Sequence, residues 1–130
     1  MSILIGQLGY PSTAEEMPSR LAAVDSHPGA DTRVAVVAGQ VVGIATVHVF
    51  ASIHSSSPVA WLTTLVVAEG ARGKGIGRLL LAWAEDYARS HGAARISLTS
   101  ALHRAEAHKF YINLRYTHSG KRFTKTLTDV

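Results

Sequence analysis

Six consecutive residues, Arg72, Gly73, Lys74, Gly75, Ile76 and Gly77, constrain this chain more than any others. They follow an apolar run, Ala60 to Ala68, whose lack of alternation reads as a strand covered on both faces. After them Ile76, Leu79, Leu80, Trp83, Ala84, Tyr87 and Ala88 fall on one stripe of a helix ending near His91 and Gly92. A glycine-rich turn between a buried strand and a helix start suits an anion, because the first helical N–H groups lack intrahelical acceptors and the helix dipole favours negative charge there. Arg72, Lys74 and Arg78 put three of the 13 Lys and Arg residues within this short segment. The excess of basic over acidic residues, formally +4, is therefore concentrated where the anion would sit.

Two common phosphate motifs fail to match. A Walker A loop needs Gly-Lys-Ser/Thr five residues after its first glycine, but Gly75 is followed by Ile76 and Gly77, which leaves no lysine or magnesium-binding hydroxyl in place. A dinucleotide fingerprint needs a third glycine three residues after the second, where this chain has Arg78 or Leu80. Nucleotide hydrolysis and Rossmann-type binding are both disfavoured.

With 130 residues, 47% apolar and 17% charged, the chain has enough core for one domain, expected to span residues 1–130, and not for two. It contains no cysteine, which excludes disulfides, thiolate nucleophiles and Cys-ligated zinc. No basic leader or long apolar span stands out, so a cytoplasmic protein without a membrane partner is expected. A nucleic-acid partner is not expected either. Its footprint would be a basic stripe with interleaved aromatics, whereas the aromatics here fall at apolar-stripe positions.

Around the central unit, Ile3 to Leu8 reads as a helix end, and a short amphipathic helix capped by Ser12 or Thr13 runs to about Val24. Asp25 to Asp31 is turn chemistry. Arg33 to Ala38 and Val41 to Phe50 read as a hairpin turning at Gly39 and Gln40, with Ile44, Thr46, His48 and Phe50 on one strand face. Ala94 to Thr99 reads as a strand parallel to Ala60 to Ala68. A helix from about Arg104 to Asn113 follows, and Tyr116 to His118 with Arg122 to Leu127 reads as a closing hairpin.

Leu65-Val66-Val67, a short acidic turn and Arg72 to Gly77 opening a helix resemble the acetyl-coenzyme A motif of the GNAT superfamily of N-acetyltransferases, Arg/Gln-x-x-Gly-x-Gly/Ala. Ala107, His108, Lys109, Phe110 and Tyr111 resemble the same family's Ala-x-x-Phe-Tyr helix, and the resemblance extends from about Leu4 to Leu127. It implies an α/β fold with a mixed, largely antiparallel, splayed sheet flanked by helices. It also implies acetyl transfer from acetyl-coenzyme A to a primary amine, on a small molecule or a peptide, in a ternary complex without a metal. Backbone groups of Leu65, Val66 and Val67 would then hold the acetyl and pantetheine portion, with an N–H around Val66 facing the oxyanion. N–H groups from Arg72 through Gly73, Lys74, Gly75, Ile76 and Gly77 would cradle the pyrophosphate, with Arg78 beside them.

Under the same resemblance Tyr111 supplies a proton to the departing thiolate. Glu69 matches a turn position that is usually structural, which leaves His48 and His54, on or just after the preceding strand, as candidate bases. His103 and His108 lack the four-residue spacing of a helical metal pair. Arg104 and His108 are candidates for contact with pantetheine or acceptor. Two departures stand out. Arg115-Tyr116 replaces the family's usual Gly-Phe or Gly-Tyr, and the family's first strand is expected to be missing, which exposes the strand at Arg33 to Ala38 and suggests a homodimer. A coenzyme A sensor of the same fold is the alternative to an enzyme.

Overall fold

The structure is a computed structural model that describes residues 17–99, 105–120 and 122–127. Helix α1 (Met17–Asp25) leads into strands β1 (Ala30–Val37), β2 (Gln40–Phe50) and β3 (Val59–Val67). A 3-10 turn (Glu69–Ala71) and helix α2 (Ile76–Ser90) precede strand β4 (Ile96–Leu98) and helix α3 (Ala105–Asn113). The four-stranded sheet has the order β1-β2-β3-β4. Its first three strands run antiparallel, and β4 lies parallel to β3, reached through the α2 crossover. This is the mixed, mostly antiparallel α/β architecture expected. The chain divides into two compact units, one ending at Leu98 with the sheet, α1 and α2, the other starting at Thr99 with α3.

The β1–β2 hairpin turns one residue earlier than the sequence suggested. Val37 pairs with Gln40, and the two-residue loop is Ala38-Gly39, with φ of 51° and 78°. Positive φ at both loop positions is the turn that matches the right-handed twist of the flanking strands, so Ala38 takes a left-handed conformation at a cost of about 1 kcal/mol.

Gly43 explains how α2 packs so closely on β2. A Cβ there would lie 3.0 Å from Leu80 Cδ1 and 3.1 Å from Ile76 Cγ2, so the missing side chain is what admits the helix. Ala45 and Val47 continue this face, and Leu80, Leu81, Ala84 and Ala88 cover it. The buried stripe is rotated from the expected one: Leu81 is 1% exposed while Leu79 is 72% exposed. Trp83 stays at the rim, where the Arg33 guanidinium lies 5.2 Å over its ring. On the opposite sheet face Val34, Ile44, Val66 and Ala68 pack together.

Two bulges shape the sheet. Val42 is the extra residue of β2 against β1, and Thr63 is the extra residue of β3 against β2. The β3–β4 pairing covers only Ala60 to Leu62 opposite Ile96 to Leu98, so it is shorter than the strand expected over Ala94 to Thr99 and stops at the Thr63 bulge.

The expected closing hairpin does not form. Among the described residues, 116–120 and 122–127 carry no strand, and Phe123 and Leu127 are 91% and 89% exposed. A hairpin needs a covered face to hold its register, and these side chains have none. The Arg122 guanidinium donates 3.1 Å to the Thr99 hydroxyl in the same unit. The expected helix end at Ile3 to Leu8, the Ser12 or Thr13 cap and the question of a first strand lie outside the described residues.

The rotation of the α2 stripe has a direct test. Leu81→Ala should lower the unfolding free energy by about 2–5 kcal/mol and Leu79→Ala by less than about 1 kcal/mol, measured by urea denaturation. Equal losses would place both leucines in the core and contradict the packing described.

Candidate active site

The last residues of β3 offer backbone groups on one edge only. Ala68 N–H donates to the Val42 carbonyl at 2.8 Å, which fixes the alternation of the β2–β3 ladder. Val66, paired with Ile44, spends its N–H and carbonyl on β2, whereas those of Leu65 and Val67 point to the other edge. No described strand pairs with that edge beyond Leu62. The Val67 carbonyl accepts a 3.1 Å hydrogen bond from Arg72 Nε, so the arginine that opens the glycine loop folds back onto the strand end. Among the described residues the outward groups that no strand takes are thus the N–H and carbonyl of Leu65 and the N–H of Val67, while the Val66 side chain, 3% exposed, serves the core.

The loop bends through glycine conformations. Arg72 is extended, and Gly73 and Gly75 have φ of 79° and 82°, in the left-handed region that side chains disfavour. Gly75 caps α2 without any side-chain hydrogen bond, and its carbonyl accepts from Leu79 N–H at 3.1 Å. The N–H groups of Ile76, Gly77 and Arg78 are the first of the helix and point out of its end. Ile76 anchors this end against Gly43, while Arg72, Gly73, Lys74, Gly75 and Arg78 are exposed around it. Glu69 is exposed in the 3-10 turn.

His48 and His54 occupy different settings. His48 is half-buried on β2, in register with Ala30 on one side and Trp61 on the other. Burial lowers its pKa and the nearby His27 lowers it further, so the imidazole is neutral at pH 7 and can accept a proton. His54 is exposed in the loop after β2, with its backbone N–H 3.3 Å from the Ser52 hydroxyl. On the His48 face a row of hydroxyls crosses three strands: Thr32 pairs with Thr46, and Thr46 with Thr64. Thr32 and Thr46 share a 2.9 Å hydroxyl hydrogen bond.

In the second unit, Tyr111 belongs to a well-defined helix end. Arg115 has φ of 71°, Tyr116 N–H donates to the Tyr111 carbonyl at 3.0 Å, and Arg115 N–H donates to Ile112 at 3.0 Å. These two bonds form a Schellman cap in which arginine takes the position glycine usually fills. The rings of Tyr111 and Tyr116, 5.8 Å apart, supply the accompanying apolar contact, and Phe110 meets Tyr111 edge-on at 5.3 Å. His108 is half-buried on the same helix, and His103 and Arg104 lie outside the described residues. Among the described residues no three His, Asp or Glu side chains group as a metal site.

Residues 2–114 match the profile of the acetyltransferase (GNAT) family. The chain belongs to the GNAT family. It is 39% identical over 100 residues to an aminoalkylphosphonate N-acetyltransferase of Salmonella typhimurium, covering 77% of this chain and 65% of that protein. It is also 43% identical over 60 residues to an uncharacterized N-acetyltransferase of Bacillus subtilis, covering 46% of this chain and 42% of the relative. The chain therefore matches less than two thirds of the length of both curated relatives. The fold is shared with a GNAT family acetyltransferase of Staphylococcus aureus, with a TM-score of 0.80 at 21% identity, over 97% of this chain and 86% of that one. It is shared as well with the aminoglycoside N-acetyltransferase AAC(6')-Iy solved with coenzyme A, with a TM-score of 0.84 at 16% identity, over 98% of this chain and 86% of that one.

Within this GNAT domain, the strand end and the glycine loop named from sequence are joined by the bond from Arg72 to Val67. The Thr63 bulge and the hydroxyl row escaped the sequence reading. Their signal was the pair Thr63-Thr64 interrupting an otherwise apolar run. A polar pair inside a covered strand marks a place where pairing or packing changes.

Proposed function

We propose that this chain transfers an acetyl group from acetyl-coenzyme A to a primary amine on a small molecule, directly and within a ternary complex. The observation that carries the reading is the continuity of the open Leu65–Val67 edge with a basic, glycine-bent helix start. An extended ligand with amides at one end and phosphates at the other suits such a site: the strand edge hydrogen-bonds the amides, and the N–H groups of residues 72–77 with Arg72, Lys74 and Arg78 take the phosphates.

The reaction makes three demands. The amine must be neutral; with a pKa near 10.4 only about one molecule in 2,500 is so at pH 7, a cost of roughly 4–5 kcal/mol that a base offsets. His48 is preferred over the exposed His54, because it stands on β2 on the sheet face that carries Thr46 and Thr64, beside the proposed thioester site. The amine nitrogen then bonds to the thioester carbonyl carbon, and the charge developing on its oxygen is met by an outward strand N–H, from Leu65 or Val67 in place of Val66. Finally the carbon–sulfur bond breaks, the thiolate takes a proton from Tyr111, and the tyrosine is reprotonated from solvent. Within its own unit Tyr111 is held by the Schellman cap and two ring contacts. Aminoalkylphosphonates are the first acceptors to try, since a relative of this chain is named for them.

Acetyl-coenzyme A should raise the melting temperature, and thiol release with a panel of amines including aminoalkylphosphonates should identify the acceptor. Tyr111→Phe should cut kcat on the order of a hundredfold. An unchanged rate removes Tyr111 from the mechanism, and a stabilised protein that turns over no amine in the panel favours the coenzyme A sensor.

We also propose that two copies pair through β1, which is the outermost described strand and leaves Val36 and Val37 more than half exposed. Light scattering should then give a mass that rises toward twice the chain mass with concentration. A constant monomer mass contradicts the pairing.

A further inference from the structure

Thr46 is the one polar side chain buried in the core among the described residues, at 6% exposure. Its position in the sheet gives it a use. Thr32, Thr46 and Thr64 stand in register across β1, β2 and β3, on the face that carries His48 and away from α2. Thr46 shares its hydroxyl with Thr32 at 2.9 Å, and its carbonyl lies 3.5 Å from the Thr63 hydroxyl at the bulge. The row ends at Thr64, half-buried and directly before Leu65, where the strand edge is open.

The two sheet faces are not equivalent around Leu65. The glycine loop and the start of α2 occupy one face, through the contact of Ile76 with Gly43. On the opposite face Ile44, Thr46 and Val66 are buried, and Thr64, half-buried beside Leu65, is the hydroxyl of the row that a nucleophile approaching an acyl carbon held at the Leu65 N–H can reach. Val66 is committed to the apolar cluster with Ile44. Thr64 supplies the hydroxyl nearest in sequence to the proposed oxyanion donor on that face. His48 lies two residues beyond Thr46 on the same face of β2, about 7 Å along the strand at roughly 3.3 Å per residue, and so stands diagonal to Thr64, where water can relay a proton to it from an amine held at Thr64.

We propose that Thr64 is an acceptor-positioning residue: its hydroxyl oxygen accepts a hydrogen bond from the incoming amine N–H and turns the nitrogen lone pair toward the thioester carbon, while Thr46 and Thr32 hold the row in place. The nitrogen–carbon bond then forms, the amine proton leaves through water to His48, and the carbon–sulfur bond breaks as the thiolate takes its proton from Tyr111. This inference rests on the acetyl-transfer reading, which the same experiment checks separately.

Thr64→Val keeps the shape and removes the hydroxyl, and Thr64→Ser keeps the hydroxyl and removes the methyl. In steady-state thiol-release assays Thr64→Val should raise KM for the amine about tenfold, the loss of one hydrogen bond, while KM for acetyl-coenzyme A stays within about twofold. Thr64→Ser should restore the amine KM to within about threefold of the parent. The melting-temperature rise caused by acetyl-coenzyme A should be the same in all three proteins. An unaltered amine KM in Thr64→Val overturns the inference, as does a Thr64→Ser protein impaired as much as Thr64→Val, which would mean that the methyl matters and the hydroxyl does not. If the parent protein itself releases no thiol with any amine, the acetyl-transfer reading fails and takes this inference with it.

Discussion

The interruption of strand pairing at Thr63 is the constraint on which the rest of the site depends. A parallel strand normally consumes every backbone group along its neighbour's edge. Here the extra residue in β3 and the end of β4 at Leu98 stop that pairing after Leu62, so the outward groups of Leu65 and Val67 meet no described strand while Val66 stays tied to β2. A side-chain site would have required polar residues inside an apolar strand. The outward groups here belong to the backbone, which leaves the Val66 and Ile44 side chains to build the core.

The glycine loop depends on the same strand for its position. Gly43 lets α2 sit tightly on β2, which fixes Ile76 and with it the helix end whose N–H groups face outward. Arg72 then closes the distance by donating to Val67. The net charge of the chain, +4, acquires a place through this geometry, because the three exposed cations of the loop surround one bundle of backbone donors.

Much of this was legible from residues alone. The covered strand, the glycine turn and the helix after it announce themselves through composition and period, and Arg115, standing where the resemblance has glycine, takes the left-handed cap conformation with φ of 71°. Other features depend on tertiary context. The hairpin turn moved to Ala38-Gly39 because twist matching outweighs the preference of alanine for negative φ. Leu79 and Leu81 are equivalent by hydropathy, and only the way α2 packs on the sheet decides which is buried. Bulges shift register by one residue without changing composition, so the identity of the outward N–H groups could not be read until the pairing of Val66 with Ile44 was known.

The central claim concerns individual amides, and hydrogen exchange resolved by residue tests it most directly. Without ligand the Val66 amide should exchange slowly, held by β2, while Leu65 and Val67 exchange faster; acetyl-coenzyme A should slow Leu65 and Val67 by at least about tenfold and leave Val66 nearly unchanged. Protection appearing at Val66 and not at its neighbours, or no change at Leu65 and Val67 while the cofactor raises the melting temperature, would contradict a strand edge kept open for the thioester.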